Sequence, residues 1–391
     1  MRIGIYGGTF NPPHKGHIHA AKEAARVLGL DRLLIIPDNI PPHKVMPAGS
    51  ANNQQRLEMT RLAFEGLPCA EVSDMELRRG GKSLTVDTVR ELCKEYPNAE
   101  FWLLMGSDML AILHLWNRPE VLLQMVKVGT FARGDAGEQE MFDEMLPLLD
   151  KNFHAEIRLI PMETEKAASS DIRSMIGRGE GENLLPEAVL GYIWREHLYE
   201  TNKDMRHLTD TELRAVAMSY LKPRRMAHVL GTEKTAVHLA EKYGASVEKA
   251  RVAALLHDCT KKLNMREQLA LCEKYGIALD GLERKTDQLL HAKTGAALAQ
   301  DVFGVDLEIC AAIFWHTTGK ANMTTLEKVI YLADYIEPNR NFPGVDRIRQ
   351  IAEQDLDEGV AAALSNTVEH MNELGSPVHE NTLTALRFLK G

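Results

Sequence analysis

Through its first half the chain alternates short apolar runs with amphipathic stretches. The runs RIGIYGG, RLLIIPD, EVSDMEL, EFWLLMGSD, KVGTFAR and EIRLIPM read as strands, and segments between them, such as Ile18 to Leu28 and Val86 to Glu95, have helical spacing. Strand and helix in alternation predict a mostly parallel sheet covered on both faces, an α/β unit. After Tyr199 the texture changes. ETNKDMRHLTD is polar and aperiodic, and beyond it SVEKARVAALLHDCTKKL, HAKTGAALAQDVF, LEKVIYLADYIE and EQDLDEGVAAALSNTVEHMNEL are helical, with almost no strand signal. The expected organisation is an α/β domain over residues 1–200, a linker over 201–206 and an all-α domain over 207–391.

At 391 residues the chain suits two compact units, and 45% hydrophobic with 26% charged residues is a globular composition. Residues 1–200 hold 22 Lys and Arg against 29 Asp and Glu, and residues 201–391 hold 24 against 26. Both halves are mildly acidic, which argues against a broad nucleic-acid surface and leaves any phosphate to a local site. The five cysteines are scattered and form no C-x-x-C pair, so neither a disulfide framework nor a zinc-thiolate site is expected. No apolar run suits a signal peptide or a membrane span, and a cytoplasmic protein is expected. The sequence is compatible with a homo-oligomer and does not set the oligomeric state.

GGTFNPPHKGH, Gly7 to His17, follows the first strand and precedes a helix. Such junctions bind nucleotides, because the helix N-terminus carries partial positive charge. Gly7 and Gly8 allow close backbone approach, and His14 and His17 offer imidazole donors to phosphate. Alone, a glycine-rich turn with two surface histidines would be an ordinary feature.

The segment resembles the H-x-G-H signature of the nucleotidyltransferase superfamily. NIPPHK, SLTVDT, GSDML with LHLWNRPEVL, and SSDIR follow in the order seen in nicotinate mononucleotide adenylyltransferases. The resemblance covers about the first 200 residues and ends in YIWREHLY. It implies a Rossmann-like domain that transfers the adenylyl group of ATP, accompanied by Mg²⁺, to nicotinate mononucleotide. It also implies an ATP site of Gly7, Gly8, Thr9, Phe10, His14, His17, Lys44, Asp108, Ser169, Ser170 and Arg173, with His14 and His17 catalytic. Thr85 and Trp116 fall on positions that contact the nicotinate nucleotide, and Arg133 in TFARGD is a further candidate for an acidic group. The chain departs from the family at Ala168-Ser169-Ser170, where Ser-Ser-Thr is common, and so lacks one hydroxyl.

In the helical half, His228, the adjacent His257 and Asp258, His291, His316 and Asp334 are metal-ligand types spread over helical segments, which a bundle can converge. A lone helical histidine is more often a surface or core residue, and His207, His238, His370 and His379 are read that way. The ordered pattern H…HD…H…H…D resembles the HD phosphohydrolases. Within them, HDCTKKL, HTTG and ADYIEPNR resemble the bacterial symmetrical diadenosine tetraphosphate hydrolases.

That resemblance implies an HD-domain helical bundle with two divalent metals, Fe or alternatively Mn or Zn, and hydrolysis of diadenosine tetraphosphate to two ADP. His228, His257, Asp258 and Asp334 would hold one metal; His291, His316 and a bridging Asp258 would hold the other. Asp258 and Lys261 are also candidate catalytic groups. Lys261, three residues on, is expected one helical turn away on the same face, within reach of a phosphate, as is Arg340. Glu337 is left without a role. The alternatives for this half are a hydrolase of dNTPs, (p)ppGpp or cyclic dinucleotides, or a nucleotide-binding regulatory module without turnover. The expected partners are therefore small nucleotides, with no nucleic acid and no membrane.

Overall fold

The computed structural model describes residues 1–42, 45–132, 137–162 and 168–391. It divides into two compact units, Met1–Lys203 and Asp204–Gly391.

The first unit is an α/β fold around one parallel sheet. The strands are β1 (Arg2–Gly8), β2 (Arg32–Pro37), β3 (Ala70–Val72), β4 (Glu100–Gly106), β5 (Lys127–Ala132) and β6 (Ile157–Pro161), in spatial order β3-β2-β1-β4-β5-β6. The order reverses between β1 and β4, and at such a switch point a crevice opens beyond the strand ends. Both sheet faces are buried: Ile3, Leu34, Leu103 and Val128 enter one apolar cluster, while Leu33, Ile35, Leu104 and Phe131 enter the other. Burial on both faces is why these strands read as continuous apolar runs. EVSDMEL is only partly strand. β3 stops at Val72, and a helix, Met75–Arg79, begins after Ser73, whose hydroxyl accepts the Met75 N–H at 3.4 Å.

The regular elements of the second unit are all helices. Its principal helices are Pro223–Tyr243, Val247–Leu256, Met265–Lys274, Asp287–Phe303, Leu307–Trp315, Thr325–Ile336, Leu356–Glu373 and Glu380–Lys390. The helix expected through HDCTKKL ends earlier, at Leu256. His257 to Lys262 form turns, with the Lys261 N–H donating to the Asp258 carbonyl at 2.9 Å. The expectation of Asp258 and Lys261 on one helical face is therefore corrected. A tight turn sets their spacing, and it leaves His257 and Asp258 at a helix end where consecutive side chains can both turn inward. Among the described residues no helix is long and apolar enough to cross a membrane.

Candidate functional site

In the first unit, Gly7, Gly8, Thr9, Phe10, His14, His17, Thr85, Asp108, Trp116, Ser169, Ser170 and Arg173 all line one cavity of about 630 Å³ at the switch point. Lys44 and Arg133 lie outside the described residues. A β-carbon on Gly7 would meet nothing within 4 Å, so this backbone is open to a guest. The Phe10 ring is buried edge-on against Tyr6, Phe64 and His17, which makes it an anchor for the loop. The His14 and His17 rings lie 3.8 Å apart, and His17 Nδ1 accepts the His14 N–H at 3.2 Å. That bond places the proton of a neutral His17 on Nε2, ready to donate.

The strand-end loops are fixed by a residue that the sequence reading did not single out. Arg56, on the Asn53–Phe64 helix, is 1% exposed and donates to Thr9 O at 2.6 Å, Asp38 Oδ1 at 3.0 Å, Asp38 O at 2.5 Å and Asn53 Oδ1 at 2.8 Å. Thr9 Oγ1 donates to the other Asp38 oxygen at 3.0 Å. One buried guanidinium thus clamps the ends of β1 and β2. On the opposite wall, Ser169 Oγ donates to Pro12 O at 2.9 Å and Arg173 Nη1 to Asn11 O at 2.6 Å. The Tyr199 hydroxyl donates to Asn11 Oδ1 at 2.7 Å. Ala168 sits at the N-cap of the Ser169–Ile176 helix with no side-chain cap, which leaves the first N–H groups to be satisfied by a ligand or water.

In the second unit the six candidate ligands converge from five segments. Asp334 Oδ1 lies 3.0 Å from His228 Nε2 and 3.8 Å from His257 Nε2. Asp258 presents Oδ2 to His257 Nε2 at 3.6 Å and Oδ1 to His291 Nε2 at 3.2 Å, and His291 and His316 approach through Nε2 at 3.0 Å. Two overlapping groups, His228–His257–Asp334 and His257–Asp258–His316, have ligand atoms close enough to hold a cation.

The tautomers of His257 and His316 favour metal binding. Nδ1 of His257 donates to Ala254 O and Nδ1 of His316 to Ile313 O, both at 2.6 Å, so each Nε2 carries a lone pair. Nε2 of His257 is buried with no hydrogen-bond partner, and Nε2 of His228 faces Asp334 Oδ1 at 3.0 Å outside hydrogen-bond geometry. Buried and converging nitrogens beside two carboxylates fit divalent cations. Burial holds the His291 and His316 imidazoles down at about 4, which keeps them neutral at pH 7. Burial alone would raise Asp258 and Asp334. Nearby His257 and His291 for the first, and His228 and Arg340 for the second, outweigh it and keep both well below the usual carboxylate range.

Glu337 now has a place. It is 1% exposed, and its Oε1 lies 3.0 Å from His228 Nδ1, which turns the other nitrogen toward the cluster. Its Oε2 accepts from the Asn339 backbone at 2.7 Å and side chain at 2.9 Å. A carboxylate behind a ligating histidine fixes the ring and raises its basicity. Arg225, also absent from the sequence reading, pairs with Asp258 through Nη2. Lys261 Nζ sits 3.2 Å from His291 Nδ1, and burial lowers its pKa. A cavity of about 920 Å³ opens here, lined in part by Arg225, Asp258, Lys261, His291, His316, Asp334 and Arg340.

A third group, Asp280, Glu283 and His379, does not suit a metal. His379 Nδ1 accepts the Asn381 N–H at 3.1 Å, so Nε2 carries the proton, 3.0 Å from Asp280 Oδ2. Lys293 Nζ already lies 2.6 Å from Glu283.

A nucleotide-sized cavity at the switch point of a parallel sheet, followed by a helical unit with an H…HD…H…H…D cluster, defines a nucleotidyltransferase fold joined to an HD-type unit. Residues 5–175 match the cytidylyltransferase-like family and residues 225–339 the HD domain family. The chain is 38% identical over 198 residues to a probable nicotinate-nucleotide adenylyltransferase of Listeria innocua, covering 51% of this chain and 97% of that protein. It is 40% identical over 182 residues to a symmetrical bis(5'-nucleosyl)-tetraphosphatase of Bacillus subtilis, covering 46% of this chain and 96% of that one. A Clostridium acetobutylicum crystal structure, described as a predicted HD superfamily hydrolase involved in NAD metabolism, is 39% identical. It covers 47% of this chain and 97% of that one, with a TM-score of 0.45. The chain belongs to the nicotinate-nucleotide adenylyltransferase family through its first unit and to the symmetrical bis(5'-nucleosyl)-tetraphosphatase family through its second.

Proposed function

We propose that the chain carries two separate reactions, adenylyl transfer from ATP to nicotinate mononucleotide and symmetrical hydrolysis of diadenosine tetraphosphate. For the first, the supporting observation is the single cavity that collects the H-x-G-H histidines, Ser169, Ser170, Arg173, Thr85 and Trp116. A phosphate oxygen of nicotinate mononucleotide attacks the α-phosphorus of ATP as the bond to pyrophosphate breaks, giving the dinucleotide and pyrophosphate. ATP enters with Mg²⁺. His14 and His17 meet the charge that grows on the phosphate oxygens, and Arg173 and the Ser169–Ile176 helix start neutralise the triphosphate. Asp108 takes the ribose, while Thr85 and Trp116 take the nicotinate nucleotide. Formation of pyrophosphate from ATP only when nicotinate mononucleotide is added tests this reading.

For the second, support comes from the buried Nε2 atoms of His228 and His257 beside Asp258 and Asp334. His228, His257, Asp258 and Asp334 would hold one divalent cation, and His291, His316 and Asp258 a second, with Fe, Mn or Zn suited to the donor set. Such a pair activates water and neutralises phosphate oxygens. Arg225, Lys261 and Arg340 hold the tetraphosphate against the site, and water adds across its central P–O–P bridge to give two ADP. Product analysis with added metal tests it: ADP alone supports symmetrical cleavage, whereas AMP with ATP, or no product, contradicts it.

A further inference from the structure

One short segment places three kinds of chemistry side by side. Asp334 is a candidate metal ligand, Glu337 holds His228, Arg340 donates to Asp334 Oδ1 at 2.6 Å, and Phe342 follows on the same cavity wall. The segment is rigid for an identifiable reason. Arg349, on the next helix, donates to the carbonyls of Ile336 at 2.8 Å, Glu337 at 2.7 Å and Arg340 at 2.9 Å. The Phe342 ring packs edge-on against Tyr335 with centroids 5.2 Å apart. The Tyr335 hydroxyl accepts hydrogen bonds from Asn366 at 2.9 Å and Thr367 at 3.3 Å, which fix that ring in turn. Both rings are only half-buried and line the cavity that contains the metal cluster.

We propose that Tyr335 and Phe342 form the nucleobase seat of this cavity, taking the purine ring of a nucleoside polyphosphate whose phosphates reach the metal pair past Arg340. The proposal rests on the reading of the second unit as a nucleotide phosphohydrolase. Apolar aromatic surface half open to a cavity is costly to leave in water, and a purine covers it by stacking. Both rings are held by their own side-chain or backbone partners, so little ordering remains at binding. A base-free polyphosphate would engage the cations but not the rings, so the two halves of recognition are separable.

The test uses the full chain with Mn²⁺, comparing wild type with Phe342→Ala and Phe342→Trp. Loss of one stacking partner raises KM for diadenosine tetraphosphate by about tenfold, and tryptophan restores it. The inhibition constant of inorganic tripolyphosphate, which has no base, and the Mn²⁺ bound per chain stay as in wild type. An unchanged KM in Phe342→Ala, or an equal weakening of tripolyphosphate, overturns the seat. If wild-type protein releases no ADP from diadenosine tetraphosphate, the proposed reaction falls instead. The seat is then decided by the dissociation constant of ADP at the Mn²⁺-loaded second unit, with a roughly tenfold rise in Phe342→Ala supporting it and an unchanged value overturning it.

Discussion

Gly231 and Glu337 exclude each other's growth: a β-carbon on Gly231 would overlap the Glu337 carboxylate that orients His228. The glycine sits inside the Pro223–Tyr243 helix, where it costs up to about 1 kcal/mol relative to alanine. That cost is intelligible if the space is needed by Glu337. Gly231→Ala should therefore improve local helix propensity and yet displace the carboxylate. The expected outcome is metal affinity lowered about 10- to 100-fold, as for loss of an outer partner of a ligating histidine. Glu337→Ala should match it, and the double variant should be no worse than the single ones. Metal titration of the purified chain reads this directly, and normal affinity in Gly231→Ala would contradict the role given to Glu337.

Arg56 and Asp38 form a buried pair whose removal from one side leaves a charge without its partner. Arg56→Ala should destabilise the first unit by about 3–5 kcal/mol, as breaking buried pairs does. Arg56→Lys keeps the charge but cannot reach all four oxygens, and so should recover only part of that loss. Denaturant unfolding separates these outcomes. Equal stability of Arg56→Ala and wild type would remove the clamp from the account.

Acid should weaken the metal-free second unit. His291 and His316 have folded-state values of about 4 against 6.5 for a free imidazole, because burial disfavours their charged forms. Between about pH 6.5 and 4 the unfolded chain binds more protons, so stability falls as pH falls through that window. The slope approaches about 1.4 kcal/mol per pH unit for each histidine. Asp258 and Asp334, held well below 3.8, add their loss only at lower pH. Calorimetry of metal-free protein at pH 7 and pH 5 checks this, with the transition of the second unit expected to move down. No movement would show that the histidines are not buried neutral.

Much of the fold was legible because both units carry strong local periodicity. Burial on two faces made β1, β2 and β4 apolar runs. The candidate ligands were picked out by residue chemistry and order. What the sequence hid depends on contacts between distant residues. Arg56 looks like any helical arginine until Asp38 and Thr9 close around it, and Glu337 meets His228 across 109 positions. The turn at His257 to Lys262 was misread as helix because ALLHDCTKKL contains good helix formers and no glycine or proline to mark its end.

The central claim is that one chain holds two independent active sites, and a crossed pair of variants tests it most directly. Full-length wild type, His17→Ala and Asp258→Asn are each assayed for pyrophosphate from ATP with nicotinate mononucleotide, and for ADP from diadenosine tetraphosphate with Mn²⁺. His17→Ala should lose roughly 10²–10³-fold in the first reaction and nothing in the second, as removal of a transition-state donor does. Asp258→Asn should abolish the second and spare the first. Near-normal transfer by His17→Ala, near-normal hydrolysis by Asp258→Asn, or loss of both reactions in either properly folded variant would contradict the account.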